Sequence, residues 1–422
     1  MTATTAATVA VTEESHLGQA SGPEVRVLHF TPHDELCGIA KYQERCLQAL
    51  RALPGLRNTV FRWSPYQTRI MDARTFALVI AELRAALADH DLLHLQHEFE
   101  LFTDDQFARI AQSVRAANKG LVVTVHTSPS TRYRPLKLNK LGPRSILALG
   151  RDFRERRRVL KQHGRAFKMA DALITHNAAI AEGLRQLGVA QGRIHQLPHP
   201  VPTVSRDRNS TTIRDRLGAQ QGDTVVAIIG FIHRYKGIRD AVQALHLLPS
   251  TYRLAVIGGI HASSQDPGFV DELSDLINHL DLVDRVHITG SVEDDETMNA
   301  LIQECDLCIF PFDPVYYASA SSDTMSLALA NHMPVIAYPT AAFKQLAHAS
   351  DAVRLCASFS PLDLAREIRE VNRPQQRNRA AAYAAVTSWS SQGPTLAQLY
   401  FTSSEDRSSH VAPIAPESVR IR

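Results

Sequence analysis

The sequence predicts an α/β protein of two doubly wound, Rossmann-like domains, and two observations support this fold class. Short β-branched apolar runs alternate with segments whose apolar residues recur at helical spacing, once from Val25 onward and again from Thr224 onward. Between the two series lies the segment 198–212, which holds three prolines, mixed charge and no periodicity. With 422 residues the chain is long enough for two domains that each bury a core.

The first series indicates a parallel sheet over residues 24–203, because each predicted strand is followed by a helix or by the next strand after a crossover. The predicted strands are "VRVLHF", "NTVFRW", "LLHLQ", "LVVTV", "ALIT" and "RIHQL". The predicted helices are "GIAKYQERCLQALRAL", "TFALVIAELRAALA" and "DQFARIAQSVRAA". Residues 1–23 have no such pattern and are expected to form a disordered tail.

The second series predicts another domain over residues 204–370, in which strands and helices alternate again. Its elements are "TVVAIIG", "IRDAVQALHLL", "YRLAVIGG", "FVDELSDLINHL", "RVHITG", "DETMNALIQEC", "DLCIFPF", "TMSLALAN" and "PVIAYP". Residues 371–403 are amphipathic and predicted to be helical, whereas residues 404–422 are polar and expected to be disordered.

Composition indicates a soluble globular protein, with 44% hydrophobic and 21% charged residues and no apolar run near the roughly 20 residues of a membrane span. Neither a secretory signal nor a transit peptide fits the first 23 residues, which contain no Lys or Arg. Five cysteines favour a reducing compartment, so a cytoplasmic location is expected. Cys305 and Cys308 are interpreted as a helix end leading into a buried strand rather than as half of a zinc site.

The stretch "GFIHRYKGIR" is a candidate anion site, because it joins a predicted buried strand to a predicted helix. Gly230 closes the strand, and Arg234 and Lys236 precede the helix. In parallel sheets this edge binds anions, since unpaired amide groups and the positive end of the helix dipole attract negative charge. A phosphate or diphosphate is the expected ligand, while a solvated charged turn is the alternative.

Several motifs of the second domain occur in the order and spacing of a known family. They are "VVAIIGFIHRYKGIRDAVQAL", "RLAVIGG", "LDLVDRVHITGSV", "CDLCIFPF" and "ANHMPVIA". From about Val25 to Tyr400 the chain resembles the family 4 type glycosyltransferases of GT-B architecture, in which two Rossmann-like domains face each other across a cleft. The closing segment, Trp389 to Tyr400, is similar to the helix that crosses back onto the first domain in that family.

The resemblance implies a hexosyltransferase-like enzyme that moves a sugar from a nucleotide-diphosphate sugar to an acceptor hydroxyl. It implies a donor site in the second domain, an acceptor site in the first, and transfer with retention, without a metal or other cofactor. The acceptor would be a glycan, a lipid-linked molecule or a small molecule. No nucleic-acid module accompanies these motifs, so nucleic acid is not expected as a partner.

The same resemblance assigns roles to individual residues. Lys236, together with Arg234, would stabilise the departing diphosphate, because Phe231 stands where the family often has an arginine. Gly38 would offer a backbone N–H near the diphosphate, and His126 would face the donor sugar. On a neighbouring strand end His97 and Glu98 would touch the acceptor. For Gly38 a simple turn glycine, and for His126 a structural histidine, are the alternatives.

The loop before the helix "TMSLALAN" departs furthest from the family, which usually has two glutamates there. Ser319 and Leu327 occupy their places. Ser321, Ser322 and Asp323 are nevertheless suited to cap that helix, so its first amides are expected to bind phosphate. The departure from the family therefore predicts a retained diphosphate site and a ribose site that is weakened or moved.

Two other functions, a possible metal site and one basic segment are weighed beside this interpretation. A non-catalytic homologue that acts as a binding or scaffolding subunit remains open, whereas a dinucleotide-dependent oxidoreductase lacks a complete G-x-G-x-x-G motif. A metal site at Asp89, His90 and Asp91 is discounted, because these residues precede their strand.

Residues 131–168 hold 13 Lys and Arg against two acidic residues, which indicates either a solvated face or peripheral docking on an anionic membrane.

Overall fold

The structure is a computed structural model with two predominantly parallel sheets, one in each half of the chain. It describes residues 11–13, 24–32, 37–64, 71–99, 101–128, 157, 161–204, 212–260, 266, 268–292, 294–314, 317 and 321–408. Each sheet forms where the sequence alternates apolar strands with amphipathic helices, and both cover their faces with helices, as parallel sheets require.

The first sheet has the strand order β1-β3-β2-β4-β5-β6-β7. Its strands are β1 Val11–Glu13, β2 Val25–Pro32, β3 Leu56–Trp63, β4 Leu92–His97, β5 Gly120–Val125, β6 Ala172–Thr175 and β7 Ile194–Gln196. The expectation of a wholly disordered tail before residue 24 is wrong at β1, which pairs antiparallel with β3 and forms the sheet edge. The other pairings are parallel, which brings the carboxyl ends of β4 and β5 together.

The second sheet has the order β10-β9-β8-β11-β12-β13, with all of its pairings parallel. Its strands are β8 Thr224–Ile229, β9 Tyr252–Ile257, β10 Val286–Ile288, β11 Leu307–Phe310, β12 Val335–Ala337 and β13 Val353–Leu355. Strands β8 and β11 are adjacent although three crossovers separate them in sequence, so the loops that follow them meet at one edge. Cys308 lies within β11 and is fully buried, as is expected of a strand residue.

Helices cover both sheets, and most begin at a Ser, Thr, Asp or Asn whose side chain accepts a backbone N–H of the first turn. They are α1 Gly38–Arg51, α2 Ala73–Ala88, α3 Asp104–Ala116, α4 Ala178–Gln186, α5 Thr212–Arg216, α6 Ile238–His246, α7 Gly268–His279, α8 Asp295–Gln303, α9 Asp323–Ala330, α10 Ala341–Ser350, α11 Pro361–Glu370, α12 Arg373–Thr387 and α13 Trp389–Ser408. Residues 161–167 are helical as well.

The last two helices pack against different domains. Helix α12 contributes Ala380 to the core of the second domain, whereas α13 packs against α1 and β5 of the first. The hydroxyl of Tyr400 on α13 is hydrogen-bonded to Nδ1 of buried His94, at 2.7 Å. The predicted crossing helix is therefore present, but it continues to Ser408 rather than ending at residue 403.

The connection between the domains is tied to the start of the crossing helix. Val201 forms a parallel bridge with Ser388, and the Val201 amide donates to the carbonyl oxygen of Thr387, at 2.9 Å. The predicted linker 198–212 thus begins as ordered chain, and its residues 205–211 lie outside the described part. No described helix combines the length and the apolar character that crossing a bilayer requires.

Candidate active site

Lys236 lies where β8 leads into α6, in a short turn that glycine makes possible. Gly237 follows it with a φ of 69°, and a Cβ at that residue would stand 1.9 Å from the carbonyl oxygen of Pro311. The turn buries Lys236 to 7% exposure, with its Nζ 4.4 Å from the ring centroid of Phe312. Burial lowers the pKa of Lys236 to about 8, and the nearby carboxylate of Asp323 opposes that shift.

Gly230 makes room for this ammonium group. Its φ is +108°, and a Cβ there would stand 3.2 Å from Nζ of Lys236 and 3.1 Å from Cγ2 of Thr324. The Lys236 Nζ itself lies 3.4 Å from Oγ1 of Thr324, on the first turn of α9. The strand end, the lysine and the N terminus of α9 therefore come together, as the sequence predicts.

Arg234 points elsewhere, although it is two residues from Lys236. Its guanidinium forms ion pairs with Asp266 and with Glu272, the latter at 2.7 Å between Nη1 and Oε2, and it lies over the ring of Phe269. The side chain is 47% exposed. In this arrangement two carboxylates hold the guanidinium, so Arg234 is not brought to the lysine, and its role toward diphosphate stays a prediction.

Helix α9 begins at the serine-rich loop. The Ser322 hydroxyl caps it by accepting the amide of Met325, at 3.2 Å, as is expected of an N-cap serine. Ser321 contacts the other domain, since its Oγ accepts from Nδ2 of Asn177 at 3.2 Å. Leu327 is 5% exposed in the hydrophobic core of the second domain, so this position offers nothing to a ribose. Ser319 lies outside the described residues.

Asp323 is the first residue of α9 and meets a cation from the first domain. Nη1 of Arg45, on α1, lies 2.9 Å from Oδ1 of Asp323, and Nη2 of Arg45 lies 3.0 Å from Oδ2 of Asp295. Burial raises the pKa of Asp323, and Arg45 and Lys236 oppose that shift. Sequence reasoning missed Arg45, because 278 positions separate it from Asp323 and no local pattern joins them.

On the first domain His126 follows β5 and ends a chain of hydrogen bonds. Its Nε2 donates to Oε1 of Gln96 at 2.8 Å, and Nε2 of Gln96 donates to Oε1 of Gln43 at 2.7 Å. Gln43 then donates to Nδ1 of His29, whose Nε2 donates to Oδ1 of Asn58, each at 2.9 Å. The chain fixes one tautomer, which leaves Nδ1 of His126 as an acceptor.

Two further imidazoles lie beside His126. His176 follows β6 and His199 follows β7, and their rings are 4.9 Å apart. Tyr42 contacts both rings and that of His126, while the rings of His176 and His126 are 5.5 Å apart. Burial lowers the pKa of His176 to about 3 and that of His199 to about 4. The resemblance identified His126 but not His176, although His176 also lies directly beyond a strand, and a search for polar residues at strand ends could have found it.

Gly38, Glu98 and His97 have three different environments. Gly38 opens α1, is exposed, and among the described residues no atom lies within 4 Å of the place of a Cβ, which leaves room at its backbone. Glu98 is half-buried, and its Oε1 accepts from Oγ1 of Thr127 at 2.6 Å. His97 is fully buried among aromatic rings, including those of Phe107 and Phe167. It is a core residue, since an imidazole at 0% exposure cannot touch an acceptor.

The discounted metal alternative lies at the amino end of β4. Asp91 forms an ion pair with Arg26, at 2.9 Å, and Nδ1 of His90 donates to the carbonyl oxygen of Ala86. In the part of the chain that the structure describes, no three or more His, Cys, Asp or Glu side chains are arranged to hold a metal ion.

Comparison with known families covers nearly the whole chain in two adjoining parts. Residues 8–204 match the family described as Glycosyltransferase Family 4, and residues 209–387 match Glycosyl transferases group 1. The chain belongs to the family 4 type glycosyltransferases with the GT-B fold, in agreement with its motifs and its two facing domains.

Individual relatives agree with this family. A D-inositol 3-phosphate glycosyltransferase of Xylanimonas cellulosilytica is 35% identical over an alignment of 132 residues, and the match covers 29% of this chain and 31% of that protein. HepE of Anabaena, in complex with UDP and glucose, superimposes with a TM-score of 0.66 at 16% identity over 90% of this chain and 100% of that one. Sucrose-phosphate synthase of Thermosynechococcus elongatus gives a TM-score of 0.67 at 16% identity, over 90% and 99% of the two chains. These structures share the fold.

Proposed function

We propose that the chain transfers a sugar from a nucleoside-diphosphate sugar to an acceptor hydroxyl, with retention at the anomeric carbon and without a bound metal or other cofactor. The observation that carries this proposal is the buried ammonium of Lys236 beside the N terminus of α9, at the carboxyl edge of the second sheet. Both features attract the negative charge that develops on a departing diphosphate. Relatives in complex with UDP and glucose or UDP-glucose support a donor of this class.

The groups present suit such a transfer. As the bond between the anomeric carbon and the phosphate oxygen breaks, Lys236 and the first amides of α9 would stabilise the diphosphate. The acceptor oxygen forms the new bond on the same face, and its proton passes to the departing phosphate oxygen. Neutral His126 would accept a hydrogen bond from the sugar at Nδ1, because Gln96 holds its Nε2 hydrogen.

Release of free nucleoside diphosphate from a panel of UDP-, GDP- and ADP-sugars tests the transfer. We expect release with at least one donor, undiminished by EDTA, and an anomeric proton in the product with the same configuration as in the donor. Loss of turnover in EDTA would contradict metal independence, and an inverted product would contradict retention.

A catalytically silent homologue is the second candidate, and Leu327 is the observation that favours it. The helix position at which the family usually has a glutamate is here buried in the core, so one ribose contact is absent. Titration calorimetry with UDP, GDP and ADP separates the candidates. Binding without turnover on any donor would favour the scaffold, and absence of binding at millimolar nucleotide would remove the donor site.

We also propose that the basic segment 131–168 docks the protein on the cytoplasmic face of an anionic membrane. Most of this segment lies outside the described residues. At its end Lys161 and Arg165 of the helix 161–167, and Lys168 directly after it, are exposed, whereas Phe167 is buried in the core, so basic side chains point outward here. Sedimentation with phosphatidylserine vesicles should fall as salt rises. Equal partition onto neutral vesicles would contradict this proposal.

A further inference from the structure

We propose that Arg45, carried by the first domain, is a positioning residue of the donor site. It neutralises Asp323 so that the N terminus of α9 can accept a diphosphate. This inference rests on the proposed function, since it concerns the same donor site. The observations behind it are the two ion pairs of Arg45, the place of Asp323 in its helix, and the positions of the other nearby cations.

Arg45 reaches across the domain boundary to the first residues of two helices. Asp323 opens α9 and Asp295 opens α8, and the guanidinium donates one hydrogen bond to each carboxylate, at 2.9 Å and 3.0 Å. The planar fork of arginine suits two acceptors at once, which a lysine ammonium does not reproduce. The Arg45 side chain is 10% exposed, so water screens these pairs less than it screens a surface ion pair.

Arg45 supplies the cation that pairs directly with Asp323 at the start of α9. Asp323 lies one residue from Thr324, whose hydroxyl is 3.4 Å from Nζ of Lys236. A carboxylate at this place repels a diphosphate that approaches the same amides. Without Arg45, the Lys236 ammonium would be the cation beside Asp323, because Nζ of Lys41 lies near Asp295 and Glu44. With Arg45 paired to Asp323, the Lys236 ammonium remains available to the ligand.

No other described cation fills this role. Arg234 is paired with Asp266 and Glu272, and Phe231 is the residue that directly follows the strand glycine. Lys41, one turn before Arg45 on α1, has its Nζ 3.9 Å from Oδ1 of Asp295 and 3.4 Å from Oε2 of Glu44, so its charge is directed to those carboxylates rather than to Asp323. The first domain therefore supplies a cation to the donor side of the second, and the pair couples diphosphate binding to the contact between the domains.

The test measures affinity for ligands of increasing phosphate charge in the Arg45→Met variant. The probes are inorganic pyrophosphate and, for the base that the wild-type protein binds, the nucleoside and its diphosphate. We expect diphosphate and pyrophosphate to bind about tenfold or more weakly, with nucleoside affinity unchanged, because only charged ligands oppose an unneutralised Asp323. The double variant Arg45→Met/Asp323→Asn should return to within about threefold of wild type, since it lacks the repelling carboxylate.

Arg115→Met is the matched control, because Arg115 and Asp171 form a similar partly buried pair, at 3.0 Å, within the first domain. It should leave all affinities unchanged, and circular dichroism should show that each variant is folded. Equal weakening of nucleoside and diphosphate, or failure of Asp323→Asn to restore binding, would overturn the role of Arg45. If wild type binds pyrophosphate but no nucleoside diphosphate, the proposed function fails and the pyrophosphate series still tests Arg45. If it binds neither, both fail.

Discussion

The two sides of the candidate site differ in charge. On the first domain the side chains of the site are mostly neutral imidazoles and amides, and His126, directly beyond β5, ends the hydrogen-bonded chain that runs through the domain to Asn58. On the second domain they are an ammonium, a carboxylate and a helix N terminus, namely Lys236, Asp323 and α9. Burial holds the imidazoles neutral, whereas it leaves the lysine with a pKa of about 8.

The difference matches the parts of a nucleotide sugar. A diphosphate gains charge as it leaves and needs cations, while a sugar offers hydroxyl groups and needs oriented acceptors. Neutral, tautomer-fixed imidazoles meet the second need, because protonation would remove the acceptor nitrogen. The comparison therefore predicts that acid lowers the stability of the first domain most. It also predicts that loss of one cation from the second domain lowers turnover.

The largest expected effect is acid destabilisation of the first domain. Buried His29, His176 and His199 have pKa values of about 4, 3 and 4, and these return to about 6.5 on unfolding. The unfolded chain then binds more protons below pH 6.5, so stability is complete above that pH and falls toward pH 4. At pH 5 we expect a loss on the order of 1–2 kcal/mol per histidine in the free energy of unfolding.

Tryptophan fluorescence reports this loss selectively, because both tryptophans of the chain, Trp63 and Trp389, lie in the cores of the first domain. Urea unfolding at pH 7 and pH 5 measures it. The variant His176→Phe removes one titrating group and should make the pH dependence shallower. An unfolding free energy that is equal at the two pH values would contradict the neutral state of these imidazoles.

The next effect concerns Lys236. Because its amine is buried, Lys236→Met keeps the volume and removes a charge that burial disfavours, so thermal stability should be unchanged or higher. Turnover should fall by about 10² to 10³, the loss typical of one charge-stabilising group. Rates and melting temperatures of the same preparation test both parts. Wild-type turnover, or activity lost only together with folding, would contradict the role.

The sequence predicts the fold closely, because strand and helix periodicity and linker composition are local signals. Lys236, Gly230 and Ser322 stand out in the sequence because each closes or follows a predicted strand or caps a predicted helix, and the family resemblance assigns them to one donor site. Arg45 and Gln96 were not predicted, since their partners lie far away in sequence and only the packed structure joins them. His97 illustrates the converse, because alternation along β4 does not show that its ring turns into the aromatic core.

A smaller effect is expected at Gln96, which orients His126. In Gln96→Leu the Nε2 hydrogen of His126 loses its acceptor, so the ring is free to change tautomer and orientation. We expect kcat to fall about tenfold with little change in KM, because the group is still present but misplaced. The matched variant Asn58→Leu, at the far end of the chain of hydrogen bonds, should reduce stability rather than kcat. A change in KM alone would instead indicate a role in ground-state binding.

The smallest effect separates two neighbouring serines. Ser321 accepts a hydrogen bond from Asn177 of the first domain, so Ser321→Ala should weaken nucleoside diphosphate binding by about 0.5–1 kcal/mol through the domain contact and leave stability unchanged. Ser322 caps α9 internally, so Ser322→Ala should cost about 1 kcal/mol of stability. Asn177→Ala is a poor control because Asn177 also caps α4, with its Oδ1 3.0 Å from the amide of Ile180. Calorimetric titration and urea unfolding of the two serine variants therefore form the test, and identical profiles would show that the loop acts only as a cap.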